Sequence, residues 1–462
     1  MQEAIQTLSK QFPVITPKVL EYIEKNERWD LFHINPYALA SKIDVDEELL
    51  IDWMLYAVSE GLFDLTWNTI CPYCGANEHQ HNSLNHLEQE FYCVPCNLPL
   101  DGQLDDKVEV AFEPKDIIKK LECDPFSTKE NYHKYFFSDN FSHAPILSKY
   151  LNDIEIGFYS ISPKQSITID LDLSYELYRL LSIDRHTQCF IKIDNDSSGF
   201  AEIIASEDGF ESEEITLKKG KSSLKIINTA SSSTGFMIQK MDKKKTEELF
   251  AKYGSQKTIK RYLSGKEVLN RQVFRELFPI QELPADLSLR VGDVTLLFTD
   301  LKGSTAMYEE IGDIDAYKLV KDHFSILTNA IRDNRGALVK TIGDAVMAAF
   351  SRPEDGFKAA KEMLENMNEY STKSKVDVGL KLGLHKGAAI AVNANQSLDY
   401  FGRTVNIAAR VQGQASAGEV WLSEDMVNSK SIKDMISDLE VHKKEANLRG
   451  IDGTMNLYKV IS

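Results

Sequence analysis

Two aspartates in the C-terminal part of the chain stand where carboxylates can share metal ions. VTLLFTDLKGST reads as a buried strand, Val294 to Thr299, that ends in Asp300; a turn through Gly303 and a helix opening near Ser304 follow. A strand-end carboxylate beside a helix N-terminus suits a cation next to a phosphate, because the carboxylate holds the cation and the free N–H groups hold the anion. In GALVKTIGDAVMAAF, two apolar strands, Ala337–Ile342 and Ala345–Phe350, flank Gly343-Asp344. A two-residue Gly-Asp loop is a good hairpin turn, and it would hold Asp344 at the tip. If that hairpin pairs beside the first strand, Asp300 and Asp344 converge. Two hard cations about 3.5–4 Å apart would then clamp the attacking and leaving oxygens of an in-line phosphoryl-type displacement. LDYFGRTVNIAARVQGQ is a turn into a helix, with Asn406 and Arg410 four apart on one face and Arg403 three before Asn406. A guanidinium fork and an orienting amide suit a polyphosphate transition state. Taken singly, each aspartate is also an ordinary turn residue and the helix an ordinary amphipathic one. No Walker A pattern is present, so a P-loop is excluded.

A second cluster lies near the N-terminal end. Four of the six cysteines form two pairs, Cys71-x2-Cys74 and Cys93-x2-Cys96, with eighteen residues between them. That is the spacing of two knuckles closing one tetrahedral thiolate site, with all four positions filled by protein, hence a structural Zn²⁺. Gly75 supplies the tight turn a knuckle needs. His79, His81 and His86 are surplus to such a site and line the loop. The competing reading, two redox pairs, lacks a thioredoxin-like βαβ pattern around them. Cys123 and Cys189 have no partner spacing and read as buried thiols.

These groups need elements to carry them. The chain has 462 residues, 43% hydrophobic and 27% charged, close to the globular average and long enough for several cores. Residues 1–66 read as a helical, winged-helix-like module, 67–115 as a zinc ribbon, and 116–236 as a β-rich, sandwich-like regulatory domain of short alternating runs. Residues 237–289 read as a helical linker or transducer, and 290–462 as the chemical domain. The fold class expected is therefore α+β and multidomain.

Charge narrows the function classes. Lys plus Arg is 53 against 70 Asp plus Glu, a net of −17. Residues 1–60 alone carry five basic and eleven acidic side chains, a net of −6. A nucleic-acid or anionic-membrane binder wants the opposite sign, which argues against DNA binding by the winged-helix-like module. No stretch approaches the ~18 apolar residues of a membrane span, and MQEAIQTLSKQFPV is not a secretory signal, so the expected location is the cytoplasm.

FTDLKGST, KTIGDAVMAAF and LDYFGRTVNIAAR, in that order and at these separations, resemble the catalytic domain of class III nucleotidyl cyclases over residues ~290–460. The stretch GLFDLTWNTICPYCG…CVPCN resembles the uncharacterised domain that precedes such cyclases in some bacteria. The resemblance implies a ferredoxin-like catalytic fold. It implies two Mg²⁺ or Mn²⁺ ions per site on Asp300 and Asp344, a base-reading pair in Lys340 and Asp399, a ribose- and transition-state-orienting Asn406, an α-phosphate-binding Arg410, and Arg449 on the terminal phosphates. It further implies a homodimer with the site between protomers, and an unknown effector or partner at the N-terminal domains. One departure is visible: many members carry an arginine shortly before the position of Asp399, where this chain has NANQSL, and Lys302 and Lys386 are the candidates to replace it.

The chemistry of the base-reading pair favours ATP. Lys only donates and ionised Asp only accepts, which matches the ring-nitrogen acceptor and amino donor of adenine; guanine reverses those roles. The alternatives are a cyclase of GTP or a pyrimidine triphosphate, or a catalytically silent, nucleotide-binding, zinc-containing regulator.

Overall fold

The computed structural model describes residues 1–462 except 72–74, 76, 82–89, 95–97, 102–106, 121–123, 137, 139, 142–148, 150–151, 175–176, 242–243, 245–247, 249–258, 279–288, 303–312, 375–377, 395–396, 452 and 462. For 28, 77–81, 90–91, 98–101, 289, 313–317 and 397 it describes the backbone alone. The chain divides into two compact units, one built mostly of residues up to Leu263 and the other mostly of Ser264–Ser462.

The first unit opens with four helices, Gln2–Gln11, Ile15–Lys25, Pro36–Ile43 and Glu47–Ser59. Short polar side chains start the last two. Asn35 Oδ1 accepts from the backbone N–H of Tyr37 at 3.0 Å, and Asp46 Oδ1 from that of Leu49 at 2.9 Å, satisfying orphan donors of the first turn. The strand Phe63–Ile70 follows and pairs with Asn77–His81. Further strands between Glu155 and Lys240 form a four-stranded and a five-stranded sheet. Ile169, Leu171 and Ile226 of one sheet and Leu180, Ile191 and Phe236 of the other share one buried core, as alternating strands with two inner faces require.

The second unit begins with two short helices, α1 (Gly265–Leu269) and α2 (Gln272–Leu277), inside the stretch that the sequence assigned to a linker. Then come β1 (Leu289–Leu301), α3 (Asp313–Asp333), β2 (Gly336–Ile342), β3 (Ala345–Phe350), α4 (Pro353–Ser374), β4 (Leu380–Ala394), β5 (Ser397–Phe401) and α5 (Arg403–Gln412). The strands β6 (Glu419–Ser423), β7 (Glu440–Asn447) and β8 (Thr454–Ile461) complete an eight-stranded sheet in the order β2-β3-β1-β4-β6-β8-β7, with β5 paired to β4. The run β1-α3-β2-β3-α4-β4 with spatial order β4-β1-β3-β2 is the split βαβ, ferredoxin-like arrangement.

Strand alternation assigns the two faces. Leu297, Leu301, Val346, Ala348, Leu382, Leu384, Val420 and Leu422 pack against α3 and α4. Trp421, between the last two, packs with Ile407 and Val411 of α5 on the other face. Gly383 lets α5 lie directly on β4: a Cβ there would sit 2.1 Å from the backbone N of Gln412. Thr404, buried, also donates its hydroxyl to the carbonyl of Ala388, tying the start of α5 to the same strand.

His385 of β4 is 3% exposed, and its Nδ1 lies 2.8 Å from the Ser423 hydroxyl. Burial pushes its pKa down from 6.5 to about 4, with Asp425 opposing and Arg403 adding to the shift. The unfolded chain takes up this proton near pH 6.5 and the folded one only near pH 4. The stabilisation is therefore complete above pH 6.5 and is lost as pH falls from 6.5 to 4. At 1.36 kcal/mol per pKa unit the loss amounts to about 3 kcal/mol. Urea midpoints of the full chain should fall across that window, and the His385→Gln variant should lose less over the same range; parallel curves would remove His385 as the cause.

Candidate active site

Asp300 and Asp344 sit at the ends of neighbouring strands. Phe298 of β1 lies opposite Met347 of β3, and the Val346 N–H donates to the Thr299 hydroxyl at 3.0 Å. One residue further along β1 is Asp300; two residues back along β3, in the β2–β3 turn, is Asp344. Gly343 takes φ +64° at the first central position of that turn, the left-handed conformation a two-residue hairpin of this type needs. Residue 300 shares the face of even-numbered β1 side chains, away from Leu297 and Leu301, and so projects on the α5 side of the sheet.

The donor chemistry of the pair fits a divalent cation. Asp344 Oδ2 is shut off from solvent with no hydrogen-bond partner among the described residues, an arrangement that is costly unless something positive meets it. Asp300 Oδ2 accepts from Lys381 Nζ at 2.6 Å. Lys381 stands opposite Asp300 in the β1–β4 register, and sequence reasoning missed it. Behind the turn, His323 of α3 is fully buried, with Nε2 3.2 Å from the Asp344 carbonyl. Burial lowers its pKa, so the neutral ring donates from Nε2 and holds the turn in place. Among the described residues no group of three or more His, Cys, Asp or Glu side chains comes together.

The residues expected from the sequence to contact a nucleotide gather elsewhere on that face. A cleft of about 630 Å³ is lined by Lys340, Asp399, Tyr400, Phe401, Arg403 and Asn406, with further residues around them, a volume suited to a small ligand. Lys340 Nζ donates to Asp399 Oδ2 at 2.6 Å, and Asp399 Oδ1 accepts from the Tyr400 N–H at 2.7 Å. Lys340 reaches this cleft because of a register shift. Leu338 pairs with Ala348 and packs into the α3/α4 core, whereas Lys340 pairs with Met347. Without that bulge, residues 338 and 340 would share one face; with it, Lys340 is turned to the other.

Asn406 and Arg410 lie one turn apart on α5, both exposed. Asn406 lines the cleft; Arg410, Asp300 and Asp344 do not. Arg449 sits exposed in the β7–β8 turn, and the next two residues, Gly450 and Ile451, line the cleft. Lys386 Nζ is held by Asp293 at 2.9 Å, and neither it nor Lys302 lines the cleft. The chain thus gathers Lys340, Asp399 and Asn406 in one cleft, and the two aspartates lie outside it at the ends of adjacent strands.

The helix opening expected near Ser304 lies outside the described residues, as do Cys74 and Cys96 of the expected thiolate site. Cys71 and Cys93 are buried in one cluster with Tyr132, Leu181 and Met237. The Gly75 N–H donates to the Cys71 carbonyl at 2.8 Å with Gly75 at φ +72°. No helix among the described residues is long and apolar enough to cross a membrane.

The family model of the adenylate and guanylate cyclase catalytic domain matches residues 288–462. A family of unknown function (DUF5939) matches residues 2–276. An adenylate cyclase of Lachancea kluyveri is 28% identical over 184 residues, covering 35% of this chain and 10% of that protein. An adenylate cyclase of Anabaena cylindrica is 25% identical over 183 residues, covering 36% of each. The adenylyl cyclase CyaB from P. aeruginosa aligns in structure with a TM-score of 0.33 and 20% identity, covering 38% of this chain and 96% of that one. The chain therefore spans about a tenth and about a third of the length of the two curated relatives.

Proposed function

Because the chain belongs to the DUF5939 family through residues 2–276 and carries a class III adenylate and guanylate cyclase catalytic domain over residues 288–462, we propose that it is an adenylate cyclase, converting ATP to 3′,5′-cyclic AMP and pyrophosphate. The observation that carries the choice of ATP is the Lys340–Asp399 pair, 2.6 Å apart in the cleft with Asn406. On binding, adenine takes the place of that ion pair: Lys340 donates to a ring nitrogen and Asp399 accepts from the amino group.

Asp300 and Asp344 hold the divalent cations, Mg²⁺ or Mn²⁺, two per site. When bound, these lower the pKa of the 3′-hydroxyl and brace the α-phosphate. The 3′-oxygen forms the new bond to the α-phosphorus, the bond to the β-phosphate oxygen breaks, pyrophosphate leaves, and the hydroxyl proton passes to solvent. Asn406 orients the ribose and Arg410 neutralises charge growing on the α-phosphate oxygens. Arg449 contacts the terminal phosphates.

The partition of residues supports a site made by two copies, with the aspartates from one and Lys340, Asp399, Asn406 and Arg410 from the other. Phe401, 68% exposed in the lining of the cleft, and Ile342, 51% exposed beside the Asp344 turn, supply apolar surface for a second copy to cover. The N-terminal domains would bias the relative rotation of the two copies in response to an effector or partner. Cys71, Cys74, Cys93 and Cys96 would hold a structural Zn²⁺, and the protein would act in the cytoplasm.

The test is one incubation of the purified chain with ATP, GTP, CTP and UTP and Mn²⁺, read by mass spectrometry. Cyclic AMP should be the dominant product. Another cyclic nucleotide would transfer the reading to that base, and none at all would leave a nucleotide-binding regulator.

A further inference from the structure

The two residues flanking Asp399 in sequence are gripped from outside the cleft, Leu398 by its backbone carbonyl and Tyr400 by its hydroxyl. Arg275 of α2 donates from Nη1 to the carbonyl of Leu398 at 2.7 Å and from Nε to the carbonyl of Leu269 at 2.9 Å. On the other side of Asp399, the Tyr400 hydroxyl donates to Oδ1 of Asn270, a fully buried residue, at 2.6 Å. The Arg275 guanidinium also lies 5.9 Å from the Tyr400 ring centroid. The same short segment reaches the Lys340 strand: Gln272 Oε1 accepts from the Leu338 N–H at 2.8 Å, at the bulge that turns Lys340 into the cleft. Glu276 accepts from Arg332 of α3 at 2.5 Å and ties the segment to the domain body. These bonds join β2 and β5, the two strands that carry Lys340 and Asp399, through one short segment, residues 270–275. Burial lowers the Arg275 pKa while Tyr400 and Asp399 hold it up, as for a charge committed to a fixed network.

We propose that Asn270, Gln272 and Arg275 are positioning residues that set where Lys340 and Asp399 stand, and so set purine affinity and selectivity. They lie in the stretch matched by the DUF5939 family and before the start of the cyclase match at residue 288, so the N-terminal family ends in a clamp on the base pocket. The inference rests on the cyclase reading for its ligand.

The test uses the full chain and 3′-deoxy-ATP and 3′-deoxy-GTP, which bind but cannot cyclise, with Kd measured by calorimetry in Mn²⁺ beside kcat and KM on ATP. Arg275→Met should weaken 3′-deoxy-ATP about tenfold and narrow its advantage over 3′-deoxy-GTP by about tenfold, since small displacements of hydrogen-bonding groups cost this much or more. KM for ATP should rise in parallel, with kcat changed less than about threefold. Arg275→Lys, which keeps one carbonyl bond, should recover part of the loss. Asn270→Ala, which removes one acceptor, should act in the same direction and carries the test if Arg275→Met does not fold. Unchanged Kd values and purine ratio in a folded variant, or a loss confined to kcat, would overturn the proposal. A wild-type chain that binds the analogues but makes no cyclic nucleotide would instead overturn the cyclase reading.

Discussion

Asp344→Asn is expected to reduce cyclic AMP formation by about 10³-fold or more with no loss of stability. The asparagine keeps the shape of the side chain but removes the charge that would grip a cation. Lewis-acid stabilisation of a phosphoryl-type transition state is worth several kcal/mol, and each 1.36 kcal/mol is tenfold in rate. Stability should hold or rise, because Asp344 Oδ2 is buried without a hydrogen-bond partner among the described residues. Replacing a carboxylate that buries one oxygen with no partner among the described residues removes part of a desolvation cost. The check pairs initial rates in Mn²⁺ with a thermal melt. Near-wild-type rates would remove Asp344 from the metal site, and a collapse of the melt would reassign it to structure.

Exchanging the base-reading pair should change the substrate rather than the rate of the chemistry. In the double variant Lys340→Glu, Asp399→Ser, the donor becomes an acceptor and the acceptor becomes a neutral group able to donate, which matches guanine. A site that hydrogen-bonds its ligand rejects a mismatched one by up to about 10⁴–10⁵-fold, because buried polar groups are left unpaired. Lys340 and Asp399 are partly exposed, at 40% and 16% of their side chains, so the expected shift in the ATP-to-GTP ratio of kcat/KM is smaller, about 10²-fold. The ratio measured on both triphosphates decides it. An unchanged preference for ATP would take the pair out of the base pocket.

The parts of this site that sequence made legible are local ones. Gly343-Asp344 between two apolar runs specifies its own hairpin, and the four-residue spacing of Asn406 and Arg410 fixes their common face on α5. The ferredoxin-like order of β4-β1-β3-β2 was legible through resemblance rather than through periodicity. Contacts set by tertiary register were not legible. Strict alternation would place Lys340 on the face of Leu338, and only the bulge between them sends it to Asp399. Lys381 meets Asp300 across a strand pair joining residues 81 apart, and His323 meets the Asp344 turn from a helix whose sequence carries no sign of it. Residues 265–277, polar and basic, read as a linker because their partners, Leu338, Leu398 and Tyr400, lie far along the chain.

Complementation between two inactive variants tests the shared site most directly. Asp344→Ala lacks a metal ligand but keeps Asn406; Asn406→Ala has the reverse defect. If each site draws its aspartates from one copy and its Asn406 from the other, a mixed dimer holds one intact site and one doubly defective site. Equal amounts of the two, unfolded and refolded together, form mixed dimers in about half the population and should recover about a quarter of wild-type cyclic AMP formation. Mixed dimers that form, as shown by differently tagged chains purifying together, yet remain as inactive as either variant alone would contradict a site built from two copies.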